Sequence, residues 1–416
     1  MNYNNDISSG QSSSQLSEAE KSQYEADKIK LGKLLMLGSP GQTERHEILE
    51  VNIRINEYEY NNGISELYSY PVNIVLGTNC KCNAQCIFCT GPKSSPGTPE
   101  FSIELFKEYY EKKIGNALMA ASDIHFCSYG EPLLMQDFMG FVDYLNKNYP
   151  YPSKAFTTNG IGLNPEIIDA FIAGRYVLHV SLHASRSDLH KQLTNTSTFD
   201  SIIKNLEYAR RRREEMGSKM TILLVFVVTT LNVRDIPEFI KLAIKLGADI
   251  VKFDYMTIYT KEMIKYSCFF AKELTDEMFE AAKSIASGKI ELLLPPLFNS
   301  GGETPSPVKL ICRFPWNWAY MDTECFTYCC VASQTMGNLQ NNKFEEIWNS
   351  EQYKNMRRSL VGSTYNKLCE DCMNAQPLNI NDFSSHVTHS QGVYEKIMEE
   401  YKSMPASFTP VSSITR

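Results

Sequence analysis

The sequence predicts an α/β protein whose main body is a partial, open (β/α)6 TIM-like barrel, followed by a cysteine-bearing C-terminal extension. Three observations predict it. Between about residue 70 and residue 290, six short apolar runs rich in valine, isoleucine or phenylalanine recur, as strands buried on both faces should. A segment of helical period follows each run, the alternation that builds a parallel sheet covered by helices. Start and stop residues fall between them, such as Asn164-Pro165 opening a helix and Gly247 closing one. Eight such units close a complete barrel, so six leave it open.

Taken in order, residues 1–25 are polar and are expected to form a disordered tail. Residues 26–70 form an N-terminal extension. It holds a helix-like stretch around Lys28–Leu37 and an alternating one, Glu50–Tyr60, whose V-N-I-R-I-N pattern reads as an added edge strand. The barrel is expected over residues 71–295, with strands at Val72–Gly77, Asp123–Ser128, Lys154–Thr158, Val177–Leu182, Thr221–Thr229 and Ile250–Tyr255. Its helices are expected at Ile103–Ile114, Gln136–Asn148, Pro165–Ala173, Phe199–Met216, Val233–Leu246 and Thr275–Ala286. The extension covers residues 305–380, and a C-terminal helix and tail cover 381–416.

Composition narrows the function. With 416 residues, 43% of them hydrophobic, the chain can bury a large core. A net charge of −7 gives no reason to expect nucleic acid or an anionic membrane as a partner. The longest apolar run, Ile222–Val228, is too short to span a bilayer, and the polar N-terminus lacks the pattern of a signal peptide. A cytoplasmic location follows. Twelve cysteines without an export signal argue for metal or catalytic thiols over a disulfide framework. Ten of them fall in two groups: Cys80, Cys82, Cys86 and Cys89, then Cys312, Cys325, Cys329, Cys330, Cys369 and Cys372.

Cys82, Cys86 and Cys89 have the spacing C-x3-C-x2-C just after the first strand, where sites of such folds lie. Three thiolates can hold three corners of a [4Fe–4S] cube and leave the fourth iron without a protein ligand. A closed zinc site using Cys80 as fourth thiolate is the competing reading. The trio resembles the signature of the radical S-adenosylmethionine (radical SAM) enzymes, and later strands strengthen the resemblance. Phe88 stands where that family places an aromatic beside the adenine of SAM. Ser128-Tyr129-Gly130-Glu131-Pro132 resembles its Gly-Gly-Glu-Pro motif, with Tyr129 replacing the first glycine; Gly130 and Glu131 would receive the α-amino group of SAM. Asn159 belongs to a T-N-G turn after the third strand. Ser181 and His183 share one face of the fourth strand; they suit the carboxylate and ribose of SAM, and a hydrogen-bonded core histidine is the alternative for His183. Thr229, at the end of the fifth strand, stands where the family contacts adenine.

The resemblance implies that SAM chelates the open iron, that one electron from the reduced cluster splits the S–C5′ bond, and that the resulting 5′-deoxyadenosyl radical takes a hydrogen atom from substrate. A flavodoxin- or ferredoxin-type donor would supply the electron.

The second cysteine group, with Met336-Gly337-Asn338-Leu339 and Phe344–Trp348 between its members, resembles the SPASM/Twitch extension of radical SAM enzymes. The shorter Twitch form implies one auxiliary [4Fe–4S] cluster on Cys312, Cys329, Cys369 and Cys372. Cys330 competes with Cys329, Cys325 is a further candidate, and a four-thiolate zinc site is the alternative. Such a cluster suits an electron relay and a net oxidation of substrate.

Enzymes of this architecture modify ribosomal peptides by oxidation, crosslinking or epimerisation, or act on small metabolites such as aminocyclitols. The 70 residues before the barrel read as too short for the leader-binding domain many peptide maturases carry. Cys268, expected on the active face, is a candidate hydrogen-atom donor, with a packed cysteine among phenylalanines as the alternative. Asp254 and Tyr255 are candidates for proton transfer or substrate positioning. An iron–sulfur or zinc scaffold without enzymatic activity is the competing class.

Overall fold

The computed structural model describes residues 17–37, 40–78, 80–91, 101–127, 130–299, 312–322, 326–328, 335–362, 379–388, 392–405 and 408. All six expected strands form: β1 (Asn73–Leu76), β2 (Asp123–Phe126), β3 (Ser153–Thr158), β4 (Val177–Ser181), β5 (Thr221–Val228) and β6 (Ile250–Tyr255). Four more join them: β7 (Glu291–Leu293), β8 (Trp318–Met321), β9 (Phe326–Tyr328) and β10 (Thr335–Asn338). They make one sheet in the order β10-β9-β8-β1-β2-β3-β4-β5-β6-β7. Pairing is parallel from β8 through β7 and antiparallel from β8 to β10. The barrel is therefore open, as expected, but its parallel run is longer than six strands. The addition at β8 comes from the C-terminal extension, which pairs directly with β1.

Helices cover the outer face. Ile103–Leu105 (α3) runs through a π turn, Phe106–Glu111, into Lys112–Ala120 (α4). Then come Phe138–Asn148 (α5), Pro165–Gly174 (α6), Ser187–Thr194 (α7), Phe199–Glu215 (α8), Ile236–Lys245 (α9) and Lys272–Ala286 (α10). Strand alternation sorts the side chains. Ile124, Phe126, Phe156, Leu178, Leu224, Phe226, Val251 and Phe253 point outward into the main core. Phe156, for example, stacks on Phe126 and on Phe171 with ring centroids 4.7 and 5.3 Å apart. The residues between them face the lumen, and many are polar.

Two expectations for the N-terminus are corrected. Residues 18–25 belong to helix α1 (Glu18–Leu35), opened by a capping box between Ser17 and Glu20, and so are not a disordered tail. Glu50–Tyr60 is not an edge strand; it lies within helix α2 (Gln42–Asn61). The six-residue alternation is also compatible with helical spacing, since Ile48, Val51 and Ile55 share one buried face. The helix wins because the polar residues on that face find partners only there. Asn52 donates to the carbonyls of Tyr70 and Ala120, both at 3.1 Å, and Asn56 donates to the carbonyl of Trp316 at 2.6 Å. Glu59, fully buried, accepts from the Tyr24 hydroxyl and from the Tyr68 and Ser69 amides.

The extension contributes α11 (Phe314–Asn317), α12 (Phe344–Trp348) and α13 (Glu351–Val361), and near the C-terminus α14 (Tyr394–Ser403) forms as expected. Residues 64–70 are clasped by that extension. Trp316 Nε1 donates to the Ile64 carbonyl at 2.8 Å and Trp348 Nε1 to the Ser69 carbonyl at 3.1 Å. Asn349 both accepts from the Leu67 amide and donates to its carbonyl, each at 2.8 Å. Arg357 is fully buried, lies over the Trp348 ring at 4.6 Å and donates to the Pro315 and Ser65 carbonyls. Among the described residues no helix is long and apolar enough to cross a membrane. Trp348→Ala is expected to cost about 3–5 kcal/mol, because it opens a cavity and orphans the Ser69 carbonyl; urea denaturation followed by fluorescence measures it.

Candidate active site

The cysteine loop leaves β1 and is fixed by backbone bonds to a distant helix end. The Ile87 and Gln85 amides donate to the Leu193 and Thr194 carbonyls at 2.9 and 3.0 Å. The Cys82, Cys86 and Cys89 thiols then line one cavity of about 220 Å³, with Ala84, Gln85, Thr90 and Gly91. Three N–H groups face sulfur: Ala84 to Cys82 at 3.5 Å, Gly91 to Cys89 at 3.3 Å and Asn159 Nδ2 to Cys82 at 3.8 Å. Gly91 has φ +77°, a conformation suited to glycine. Burial pushes the Cys82 thiol up and the Cys86 thiol up to about 12, where the neighbouring Cys89 and Cys82 add to it. Metal binding here must therefore expel protons. Three soft donors around one cavity, with N–H groups on their sulfurs, fit an iron–sulfur cluster.

Glu131 joins the loop to the ends of β2 and β3. It is 2% exposed. Its carboxylate accepts from Thr158 Oγ1 at 2.6 Å, the Asn159 amide at 2.7 Å and the Leu133 amide at 3.0 Å. Its own amide donates to the Lys81 carbonyl at 2.7 Å. Gly130 precedes it, and Tyr129 lies outside the described residues. Asn159 donates to both Asn83 Oδ1 (2.7 Å) and the Cys82 sulfur, so the T-N-G turn touches the cysteine loop directly.

On the far side, His183 has φ +62° and is 4% exposed. Its Nδ1 accepts from the Val227 amide at 3.0 Å, and its ring meets Phe88 edge-on at 4.7 Å. His183 is thus a hydrogen-bonded, buried histidine, and its ring packs against the aromatic beside the cysteines. Sequence reasoning passed over Asn232, which is fully buried. Asn232 accepts from the Thr229 amide and hydroxyl and donates to the His183 and Val227 carbonyls. Thr229 itself is fully buried, its hydroxyl spent on that turn. Asp235, accepting from Ser185, was also missed.

Ser181 faces the lumen above a layer of His125, Thr157, His179 and Lys252. His125 Nε2 meets Thr157 Oγ1 at 2.8 Å, and the His125 and His179 rings lie 4.9 Å apart. Lys252 pairs with Asp254 at 2.9 Å. Tyr255 points the other way, its hydroxyl donating to the Pro296 carbonyl at 3.1 Å, because adjacent strand residues take opposite faces. Cys268 is a correction to its expected place. It is 2% exposed within the main core and bonded to Thr275, because the turn Cys268–Phe270 folds back onto α10. Cys312 is half-buried just before α11, whereas Cys325, Cys329, Cys330, Cys369 and Cys372 lie outside the described residues.

Residues 78–243 match the model of the radical SAM superfamily, and residues 312–373 match that of the SPASM iron–sulfur cluster-binding domain. A probable GTP 3′,8-cyclase of Thermoplasma volcanium is 30% identical over 49% of this chain and 61% of its own length. The mycofactocin maturase MftC of Mycobacterium tuberculosis is 24% identical over 43% of each chain. The chain thus spans less than two thirds of the length of these curated relatives. Among solved structures, SuiB of Streptococcus suis bound to the precursor peptide SuiA superposes with a TM-score of 0.56 at 16% identity, covering 74% of this chain and 72% of that one. The structure of anSMEcpe with bound AdoMet and the Cp18Cys peptide gives 0.54 at 15% identity, over 80% and 95%. At these identities the likeness is one of fold.

Burial lowers the pKa of His125 to about 4 and of His183 to about 3, and lowers that of His179 as well, with Lys252 adding to the effect on His125 and His179. Each is held neutral in the folded protein and charges on unfolding below its ordinary value. Stability contributed this way is present above about pH 6.5 and is lost as pH falls toward 4. Wild type should therefore lose stability relative to His179→Leu by about 1.4 kcal/mol per pH unit below 6.5, read from urea midpoints at pH 7, 6 and 5.

Proposed function

From a chain that belongs to the radical SAM enzymes and carries a SPASM cluster-binding extension, we propose a peptide maturase that oxidises, crosslinks or epimerises a residue of its substrate. The observation that carries the reading is the convergence of the Cys82, Cys86 and Cys89 thiols on one cavity, bordered by the Glu131 and Asn159 turns. When bound there, the cluster and SAM supply the 5′-deoxyadenosyl radical that removes a hydrogen atom from substrate.

The chain's own residues do the rest. Cys82, Cys86 and Cys89 would hold the cluster through three thiolates, leaving one iron open to SAM. The Gly130–Glu131 turn presents acceptors for its ammonium group, while Glu131 keeps that turn rigid. Phe88, braced by His183, offers the aromatic wall for adenine, and Asn232 sets the Thr229 turn beside it. Ser181 faces the lumen, where a polar end of SAM or substrate would lie. Asp254, paired with Lys252, is the strand-end carboxylate placed to meet substrate; Tyr255 and Cys268 serve packing. Cys312, with Cys329 or Cys330, Cys369 and Cys372, would hold the auxiliary [4Fe–4S] cluster, a one-electron redox centre suited to a net oxidation of substrate. A flavodoxin- or ferredoxin-type protein would deliver the priming electron. The peptide class follows from SuiB with SuiA, anSMEcpe with its peptide, and MftC, all likenesses in fold or partial sequence.

Anaerobic reconstitution should load about eight irons per chain, as two cubes require, and dithionite with SAM should yield 5′-deoxyadenosine. Cys82→Ala, Cys86→Ala and Cys89→Ala should each retain about four irons and form no 5′-deoxyadenosine. Nucleoside formation that survives any one of these changes would sink the assignment.

A further inference from the structure

We propose that the barrel lumen below the cysteine loop binds an uncharged hydrogen-bonding group of the substrate, a backbone or side-chain amide, between His179 Nε2 and the Lys252–Asp254 pair. The inference rests on the radical SAM reading only for what lies above this site.

The first observation is an unpaired atom. His179 is 5% exposed, and its Nε2 has no hydrogen-bond partner, although it lies inside the barrel within ring contact of His125. Buried polar atoms in folded proteins are almost always paired, and His179 stands at an inward-facing position of β4, so a partner for it would come from the lumen side. His125 cannot serve, because its Nε2 is already engaged by Thr157.

The second observation is charge. On the inward faces of β1 to β6, from His125 upward, the charged side chains are Lys252 and Asp254, which pair at 2.9 Å. Their side chains keep 34% and 44% exposure, so the pair faces open space. Both imidazoles are held neutral by burial and by Lys252. Along this stretch the two opposite charges offset each other. A carboxylate or phosphate arriving there would meet Asp254, and an ammonium would meet Lys252, each without a spare counter-charge. An amide creates neither conflict. Its oxygen can accept from His179 and Lys252, and its N–H can donate to Asp254. The same balance disfavours a nucleoside triphosphate, whose charge calls for several cations.

The test uses the reconstituted holoenzyme labelled with 15N-histidine, titrated separately with N-acetylglycinamide, acetate and methylammonium. The expected result is a saturable change in the His179 ring resonances with the amide probe. The two ions should bind at least about tenfold more weakly. His179→Leu should weaken the amide probe about tenfold, the scale of one hydrogen bond, whereas His179→Gln, which keeps a donor at this depth, should restore most of the binding. A silent His179 resonance, tighter binding of either ion, or unchanged amide affinity in His179→Leu would overturn the proposal. Iron content and 5′-deoxyadenosine formation are measured on the same samples. A protein that binds the amide through His179 but cleaves no SAM would remove the catalytic reading and leave this one standing.

Discussion

The Glu131 carboxylate is the interaction on which the active face depends. It lies where three chain segments converge, and it is nearly excluded from water. Two of the donors it accepts come from the end of β3 and one from its own turn, while its amide reaches back to Lys81 beside the cysteines. Burial raises its pKa, and those donors pull the other way by stabilising the charged form. A carboxylate in this setting fixes distances rather than titrating freely. Without it, the cysteine loop would meet the Asn159 turn only through the Asn159 side chain, whose bonds to Asn83 and the Cys82 sulfur would lose the support of the anchored Asn159 amide.

The same logic governs the other side of the site. Asn232 engages its side-chain oxygen and nitrogen with four groups, bringing the ends of β4 and β5 together. His183, in the left-handed conformation, adds the bond to Val227 and leans on Phe88. Non-glycine residues take this conformation rarely and at a cost, and here the surrounding bonds hold it. Backbone strain, a buried amide and a neutral imidazole thus set the position of the aromatic wall. The strand ends are rigid because their polar groups are paired. In the layer below them, the His179 Nε2 is left without a partner.

The sheet was legible in the sequence because strands buried on both faces read as apolar runs, and each of the six sits within two residues of its expected bounds. The cysteine trio and the strand-end turns were legible because their spacing is chemistry. What could not be read was the inward face. His125 and His179 look like isolated polar interruptions until the register brings their rings together. Asp254 and Tyr255 read as one pair of candidates until alternation sends Asp254 inward with Lys252 and Tyr255 outward. Glu50–Tyr60 misled because six residues of alternation fit two periods, and the deciding partners, Tyr70, Ala120 and Trp316, come from distant segments. For Cys268 the structure supports the packed reading over the hydrogen-donor one, because the turn after β6 folds back onto α10.

The place of the extension follows from register. β8 pairs in parallel with β1, matching Asn73 to Trp318 and Leu76 to Met321, and the Gly77 amide continues the ladder to the Met321 carbonyl at 2.7 Å. The strand that delivers the cysteine trio is therefore hydrogen-bonded to the strand that follows Cys312. Tyr110 locks the upper end of this pair, donating to the Asp322 carbonyl at 2.7 Å, and the Trp316, Trp348 and Arg357 clasp locks the lower end. A domain joined by a flexible linker would let its cysteines wander relative to the barrel. Here the extension supplies an edge of the barrel itself, so Cys312 is held in fixed relation to the loop of Cys82, Cys86 and Cys89. A shared β-ladder is a stiff means of fixing that relation.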